Sequence, residues 1–494
     1  PGQIIMKGIN AMLKSLDPYT VYFSESEVEN YKVQITGKYG GIGSLISTDS
    51  NYVIISEPYK GFPAYKSGMW AGDKIIRIED VDMENKNTSE VSKLLKGSPN
   101  TKVNVVIQRP YENKTRNITI TREEIKVNSV PYFSLIDSNI AYIKLTKFIR
   151  GSGNEVKTAL KTLKDSIALK GCILDLRNNS GGLLLEAVNV TNIFIPKGEV
   201  VVSTKGKKFE KDYKSLNEAV DTTLPLIVLT NRGSASASEI VSGAIQDMDR
   251  GVIVGQRTYG KGLVQNTRSV GYNTQIKLTT AKYYIPSGRC IQEVDYSNKS
   301  NTGNALKVAD SLINAFKTKN QRIVFDGKGI KPDIETDKPK YSKILSTLLR
   351  KRHVFRYATF FRFYTDSSKV DLDFEVSDSI YNDFLAFIKD KDYSYETNTE
   401  EILIDLEKNT KDEKYFDAVE EDMKLLKEKL ISDKENDIQK FRDEISHYLT
   451  QEIITRYHNK YGRINAKLKK DSDIDTSVTL LKNLTEYDNL LLPK

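Results

Sequence analysis

The spacing of hydrophobic positions divides the chain into four stretches. In the first, Ile4, Ile5, Ile9, Met12 and Leu13 recur at helical intervals, which predicts an amphipathic helix. The Leu16-Asp17-Pro18-Tyr19 run ends it, because proline disfavours helix in the residue before it. A second helix is predicted over 24–32. From 34 to 125 the apolar residues come in short runs separated by glycines, which predicts strands at 44–47, 52–56, 103–108 and 116–121. One short amphipathic helix, 89–95, interrupts them and ends at Gly97. From 126 to 335, apolar strand-like runs at 140–143, 172–176, 226–229 and 252–254 alternate with helical patterns at 153–166, 182–193 and 236–248, which predicts an α/β layer. Beyond 336 the chain becomes highly charged and helical, with amphipathic patterns at 402–408, 415–430 and 438–457, an aromatic-rich run at 355–364, and a last segment, 476–492, with apolar residues on one face.

With 494 residues, the chain has room for about three domains of roughly 150 residues each. The net charge of +8 is spread thinly, with no dense Lys/Arg stripe and no interleaved aromatics, so a nucleic-acid partner is not expected. No apolar run is long enough to span a bilayer and no secretory signal is visible. The chain opens at Pro1, so a fragment or a processed form is expected. Two cysteines, Cys172 and Cys290, make no disulfide framework, and with only three histidines no metal site is expected. Cys172, inside Gly-Cys-Ile-Leu-Asp-Leu, reads as a small buried hydrophobe.

The candidate chemistry lies in three glycine-rich runs. Asn231-Arg-Gly-Ser-Ala-Ser-Ala-Ser-Glu239 follows an apolar strand and opens a helix. Ser236 at that helix start stands beside unpaired backbone N–H groups and the positive end of the helix dipole, a setting that suits a developing oxyanion. Ser236 with Glu239 also fits a simple capping box. Thr258-Tyr-Gly-Lys-Gly-Leu-Val-Gln265 places Lys261 between two glycines with no adjacent acid. An ordinary lysine, with a pKa of about 10.4, is a poor base at neutral pH, but burial lowers that value. A neutral Lys261 would take the Ser236 proton and later protonate the leaving amine, with Gln265 or Thr258 orienting it. Gly255 to Lys261 also matches the start of a phosphate-binding loop, although Gly262 stands where Ser or Thr is needed and no helical pattern follows. The third run, Asp175-Leu-Arg-Asn-Asn-Ser-Gly-Gly182, leads from a strand into a helix and would offer further N–H groups.

Taken together, these runs resemble the C-terminal processing peptidases, a family of serine proteases. The likeness covers about residues 5–335. It also includes Lys14-Ser-Leu-Asp-Pro-Tyr19, Leu278-Thr-Thr-Ala-Lys-Tyr-Tyr-Ile-Pro-Ser-Gly-Arg289 and Gly329-Ile-Lys-Pro-Asp333. It implies Ser236 as nucleophile, Lys261 as general base, Gln265 as its orienting partner, and the backbone N–H groups of Ala237 and Gly181 as oxyanion donors, with no metal or organic cofactor. Residues 34–125 resemble a PDZ domain, with Gly41, Ile42 and Gly43 as its carboxylate-binding loop and the helix near 89–95 as one wall of the groove. Ser44 stands where such loops often carry a bulky apolar residue. The expected architecture is multidomain α/β: an N-terminal helical segment (1–33), a PDZ-like β domain (34–125), an α/β Ser-Lys protease core (126–335) and a charged helical C-terminal region (336–494). The expected partners are unfolded or C-terminal segments of protein substrates, with homo-oligomerisation through the C-terminal helices left open, and the expected location is periplasmic or otherwise extracytoplasmic. A PDZ-based peptide-binding adaptor with a silent core is the competing expectation.

Overall fold

Continuous apolar strands need cover on both faces, and the central sheet has it. The computed structural model describes residues 2–299 and 305–493. They form two compact units, one of Pro1–Tyr39, Lys126–Lys338 and Asp471–Lys494, the other of Gly40–Ile125 and Pro339–Lys470.

The first unit is built on a sheet with strand order Tyr132–Ile136, Ile140–Lys144, Gly171–Asp175, Leu226–Thr230, Val252–Gly255 and Ile334–Glu335. The first pair is antiparallel and the rest are parallel. Cys172, Leu174, Leu226, Val228 and Ile253 share a core with the apolar faces of helices Ser152–Ser166, Leu184–Thr191 and Ala237–Asp247. Ile173, Ile227, Leu229, Val252 and Val254, of the opposite parity, are buried as well. Helix Ser472–Lys482 contributes to their cover, with Leu481 seated where Gly171 has no side chain. A second sheet has the order Val21–Phe23, Thr274–Tyr284, Val200–Gly206 and Glu210–Lys214, and Leu263–Gly271 also pairs with Thr274–Tyr284.

Buried charges tie the last residues of the chain to this unit. Asp175 accepts from Tyr142 hydroxyl at 2.7 Å and pairs with Lys144 at 2.9 Å and Arg177 at 2.8 Å. Burial alone would raise its pKa, but the two cations hold it far below the usual carboxylate range. Arg177 reaches on to Asp471 and Asp473, both at 2.7 Å.

The second unit holds a five-strand path, Ser44–Asp49, Tyr52–Pro58, Lys74–Ile78, Lys102–Gln108 and Thr115–Thr121, with Ser44–Asp49 at an edge. Helix Thr88–Leu95 packs Val91 and Leu95 into its core with Ile42, Val53, Ile55 and Ile75. Asn87 caps that helix by accepting from the N–H groups of Ser89 and Glu90, and Arg122 takes the last carbonyls, those of Leu94 and Leu95. Charged helices complete the unit. Their Arg352 donates to the Ser47 hydroxyl and the Thr48 carbonyl, and Arg356 pairs with Asp49 at 2.6 Å.

Several helical expectations shift at their ends. The helix expected over 24–32 runs Glu25–Thr36 and stops only at Gly37, which takes a left-handed φ of 68°. The pattern at 438–457 belongs to Arg442–Leu468, broken at Asn459, where φ is 53°. The segment 476–492 forms two helices, Ser472–Lys482 and Leu484–Leu490, parted by Asn483, whose side chain caps the second.

Arg177→Ala would leave a set of buried carboxylates without their shared cation. Breaking such a cluster typically costs about 3–5 kcal/mol, so clearly earlier unfolding in urea is expected, and an unchanged midpoint would contradict the role given to this cluster.

Candidate active site

Three loops leave the carboxyl ends of three neighbouring parallel strands, the end at which open α/β sheets form ligand crevices. Gly171–Asp175 leads to the turn carrying Gly181, Leu226–Thr230 to Ser236, and Val252–Gly255 to Lys261. Together with the start of strand Leu263–Gly271 they line one cleft of about 560 Å³, whose walls include Gly181, Ser236, Ala237, Lys261, Gln265, Lys277 and Tyr283.

Ser236 lies where the chain turns into helix Ala237–Asp247, at φ 54° and ψ −111°. A non-glycine residue held there costs about 1–3 kcal/mol and persists only when its surroundings fix it. A strained strand-to-helix turn of this kind exposes a serine hydroxyl at the end of a sheet. The fixing group is Glu239, which is fully buried. Its Oε2 accepts the N–H of Ser236 at 2.8 Å and the N–H of Lys261 at 2.9 Å. Its Oε1 accepts the N–H of Gly260 at 2.7 Å and the hydroxyl of Thr258 at 2.6 Å. Burial pushes this carboxyl up to about 7, against the pull of those four donors. From another side the Tyr283 hydroxyl reaches the carbonyl of Lys261 and, at 3.2 Å, that of Ser236.

Lys261 is flanked by glycines because its neighbours pack closely. A Cβ at Gly260 would come within 2.6 Å of Glu293 Cβ, and one at Gly262 within 3.0 Å of the Gln292 nitrogen. The Lys261 amine makes no hydrogen bond or ion pair among the described residues, and lies 4.0 Å from the centroid of the Tyr19 ring. Burial, then the charge of Lys277, lower its pKa to about 8, while Asp17 and Glu239 oppose the shift. No hydrogen bond among the described residues joins this amine to the Ser236 hydroxyl.

The remaining expected site residues fall as follows. Gln265 lines the cleft, but its side-chain N–H donates to the Thr279 hydroxyl at 3.3 Å rather than to Lys261. Thr258 faces Glu239, not the amine. The Ala237 N–H, in the first turn of the helix, meets no acceptor among the described residues. Gly181, at φ 96°, lies so close to the serine turn that a Cβ would come within 2.6 Å of the Ala235 carbonyl. Its own N–H donates to Asn179 Oδ1 at 2.9 Å. The phosphate-loop alternative does not hold. The Gly260 and Lys261 amides embrace a carboxylate, and residues Leu263–Gly271 form a strand where that motif needs a helix. Among the described residues, no group of three or more His, Cys, Asp or Glu is placed to hold a metal.

Gly41, Ile42 and Gly43 precede the edge strand Ser44–Asp49 of the second unit. The Ile42 and Gly43 carbonyls accept from Ala64 and Tyr59 at 2.8 and 2.9 Å, while their N–H groups meet no acceptor among the described residues. The Ser44 hydroxyl is buried and unpartnered.

Reading by residue pattern missed Tyr19, Tyr283 and Lys277 and took Glu239 only as a cap. Tyr19 and Tyr283 sit inside runs already recognised as motifs. Lys277 carries no sequence signal.

Three stretches of the chain match known families. Peptidase family S41 matches residues 139–297, a PDZ domain matches 54–109, and the probable PDZ-protease C-terminal helical domain matches 344–481. A carboxy-terminal-processing protease of Bartonella bacilliformis is 37% identical over 297 residues, covering 59% of this chain and 68% of that protein. A probable CtpA-like serine protease of Staphylococcus aureus is 35% identical over 342 residues, covering 68% of this chain and 60% of its own length. Among solved structures, a photosystem II D1 C-terminal processing protease is 27% identical over 68% of this chain and 82% of its own, with a TM-score of 0.38.

Glu239→Ala would strand four donors in a buried place, each costing about 1–3 kcal/mol. Loss of cleavage is expected together with earlier unfolding. Glu239→Gln, which keeps one acceptor oxygen, is expected to fall between the two, and an alanine variant with wild-type activity would contradict the bridging role.

Proposed function

Because the chain belongs to the carboxy-terminal-processing serine proteases of peptidase family S41 and carries a PDZ domain, we propose that it cleaves proteins near unstructured C-terminal tails through an acyl-enzyme on Ser236, with Lys261 as general base. The observation that carries this reading is the shared Glu239 oxygen, which sets the backbones of serine and lysine side by side at the mouth of one cleft.

In this reading the neutral Lys261 amine, still held against the Tyr19 face, turns toward the Ser236 hydroxyl when substrate fills the cleft. Catalytic hydrogen bonds of this kind often tighten only in the substrate complex. The amine takes the hydroxyl proton as Oγ attacks the peptide carbonyl, and the oxyanion forms beside the Ala237 N–H. The lysine ammonium then passes its proton to the leaving amine, and the bond from carbon to nitrogen breaks. Water, deprotonated by the same amine, then adds to the ester carbonyl, the bond from carbon to Oγ breaks, and the ammonium returns its proton to Ser236. The Gly181 N–H joins as second donor once it exchanges its Asn179 acceptor. Gln265 acts on the amine after release from Thr279.

The PDZ domain is proposed to take a substrate tail as an added strand along Ser44–Asp49, with the terminal carboxylate on the Ile42 and Gly43 amides. By likeness to its relatives, the protein is proposed to work outside the cytoplasm. The adaptor alternative predicts peptide binding with no labelling of Ser236 by a serine-directed active-site probe.

Ser236→Ala is expected to abolish cleavage of an unfolded protein while leaving the fold intact; retained turnover would refute the assignment. For the intact enzyme, kcat/KM should rise about tenfold per pH unit on the acid side and level off near 8, where the lysine becomes neutral. Below pH 7, protonation of Glu239 should steepen the decline. A profile flat from pH 6 to 9 would count against a lysine base.

Separately, a peptide with a free C-terminal carboxylate should bind the Ser236→Ala protein about tenfold or more tightly than its amide, as expected for charge-assisted hydrogen bonds worth about 1.5–3 kcal/mol. Equal affinities by fluorescence anisotropy would remove the proposed role of the Gly41–Gly43 loop.

A further inference from the structure

We infer that Tyr19 is a positioning residue for the base: its ring face seats the Lys261 amine at the cleft. The inference rests on reading Lys261 as that base, and gives a purpose to the Leu-Asp-Pro-Tyr run, which makes no hydrogen bond to Ser236, Ala237 or Gly181 among the described residues.

The amine lies 4.0 Å from the ring centroid and has no other partner among the described residues. The ring itself is held from three directions. Asp17 accepts the N–H of Tyr19, the N–H of Thr20 and the Thr20 hydroxyl, each at 2.8 Å. Tyr296 meets the ring edge-on, with centroids 5.8 Å apart, and its hydroxyl donates to that of Tyr19 at 3.4 Å. Immediately beyond, Val21–Phe23 pairs with the strand carrying Lys277, Val21 opposite Lys277 itself.

An aromatic face is a particular kind of seat. It attracts an ammonium through its quadrupole, yet it accepts no proton and carries no full charge. A carboxylate in its place would fix the lysine in the charged form. The charged or titratable groups around the amine are Lys277 on the neighbouring strand, Asp17 on the Tyr19 turn and Glu239 on the helix, with Tyr296 and Tyr259 hydroxyls beyond Tyr19. Both acids already accept hydrogen bonds from their own neighbours, which leaves the ring as the group in contact with the amine.

The test replaces Tyr19 in the full chain by Phe, by mono- and trifluorinated Phe, and by Leu, and follows cleavage of an unfolded protein against pH. Fluorine weakens the ring's attraction for a cation without changing its shape much. Phe should rescue what Leu loses. Across the fluorinated series, the acid limb should move to lower pH by roughly half a unit to one unit, since less attraction favours the neutral amine. Leu should lower kcat on the alkaline plateau by roughly tenfold or more, with KM little changed, because the amine is no longer held. An acid limb indifferent to fluorination, or a Phe variant as impaired as Leu, would overturn the inference. If Leu does not fold, the fluorinated series, which preserves the ring, still decides. Lys261→Ala separates the two levels: full activity there would remove the base itself, whereas an inactive Lys261→Ala alongside an unresponsive Tyr19 series would sink only the seat.

Discussion

One oxygen of one buried carboxylate joins the two halves of this site. Glu239 Oε2 accepts from Ser236 and Lys261 at once, and neither would hold its place alone. The serine backbone is strained, and the lysine is bounded by two glycines. Hydrogen bonds to a buried charge are strong, but removing that charge from water is expensive, and the two effects are both visible. Four donors surround the carboxylate, yet burial still lifts its pKa to about 7. The arrangement has a second consequence. A glutamate this close to a lysine would ordinarily pin the amine as a cation. Here the carboxylate faces the lysine backbone and is saturated by other donors, so its pull is the smallest of the influences on Lys261.

The sheet explains why the three glycine-rich runs, far apart in sequence, share one cleft. They leave adjacent parallel strands at the same end. The outlying motifs serve the same geometry from below. Asp247, at the end of the serine helix, pairs with buried Arg289 at 2.8 Å and accepts the Ser287 N–H at 3.0 Å. Asp333 accepts from Gln246 at 2.9 Å, from the Ile253 N–H at 2.8 Å and from Arg322 at 2.7 Å. The Tyr-Ile-Pro-Ser-Gly-Arg and Gly-Ile-Lys-Pro-Asp runs therefore anchor the helix that follows Ser236.

Local pattern was enough to read the strands of the central sheet, because each is a continuous apolar run with no competing period, and to single out Ser236 and Lys261 as candidates, which folding brings to one cleft. It did not show the partners that distant neighbours supply. Gln265 and Thr258 were expected to orient the amine, and their side chains meet Thr279 and Glu239, which only folding brings close. The Gly181 amide, expected as an oxyanion donor, donates to the side chain two residues before it. Helix ends moved where the stop signal was a single residue, Gly37 or Asn483, rather than a change of period. Lys277 could not have been found, since a lysine on an alternating strand looks the same whether it faces solvent or a second lysine.

That second lysine bears on the acidity of Lys261. Lys277 lies within 6 Å of the Phe23 and Tyr31 rings, at 5.7 and 5.9 Å, just as Lys261 lies over Tyr19. The residues between 17 and 31 thus contribute aromatic rings near both lysines and an acid, Asp17, whose oxygens accept from its own turn. Burial lowers the pKa of both lysines. Lys277 adds to the shift at Lys261, which falls to about 8. A segment outside the central sheet therefore lies against the amine that the sheet positions.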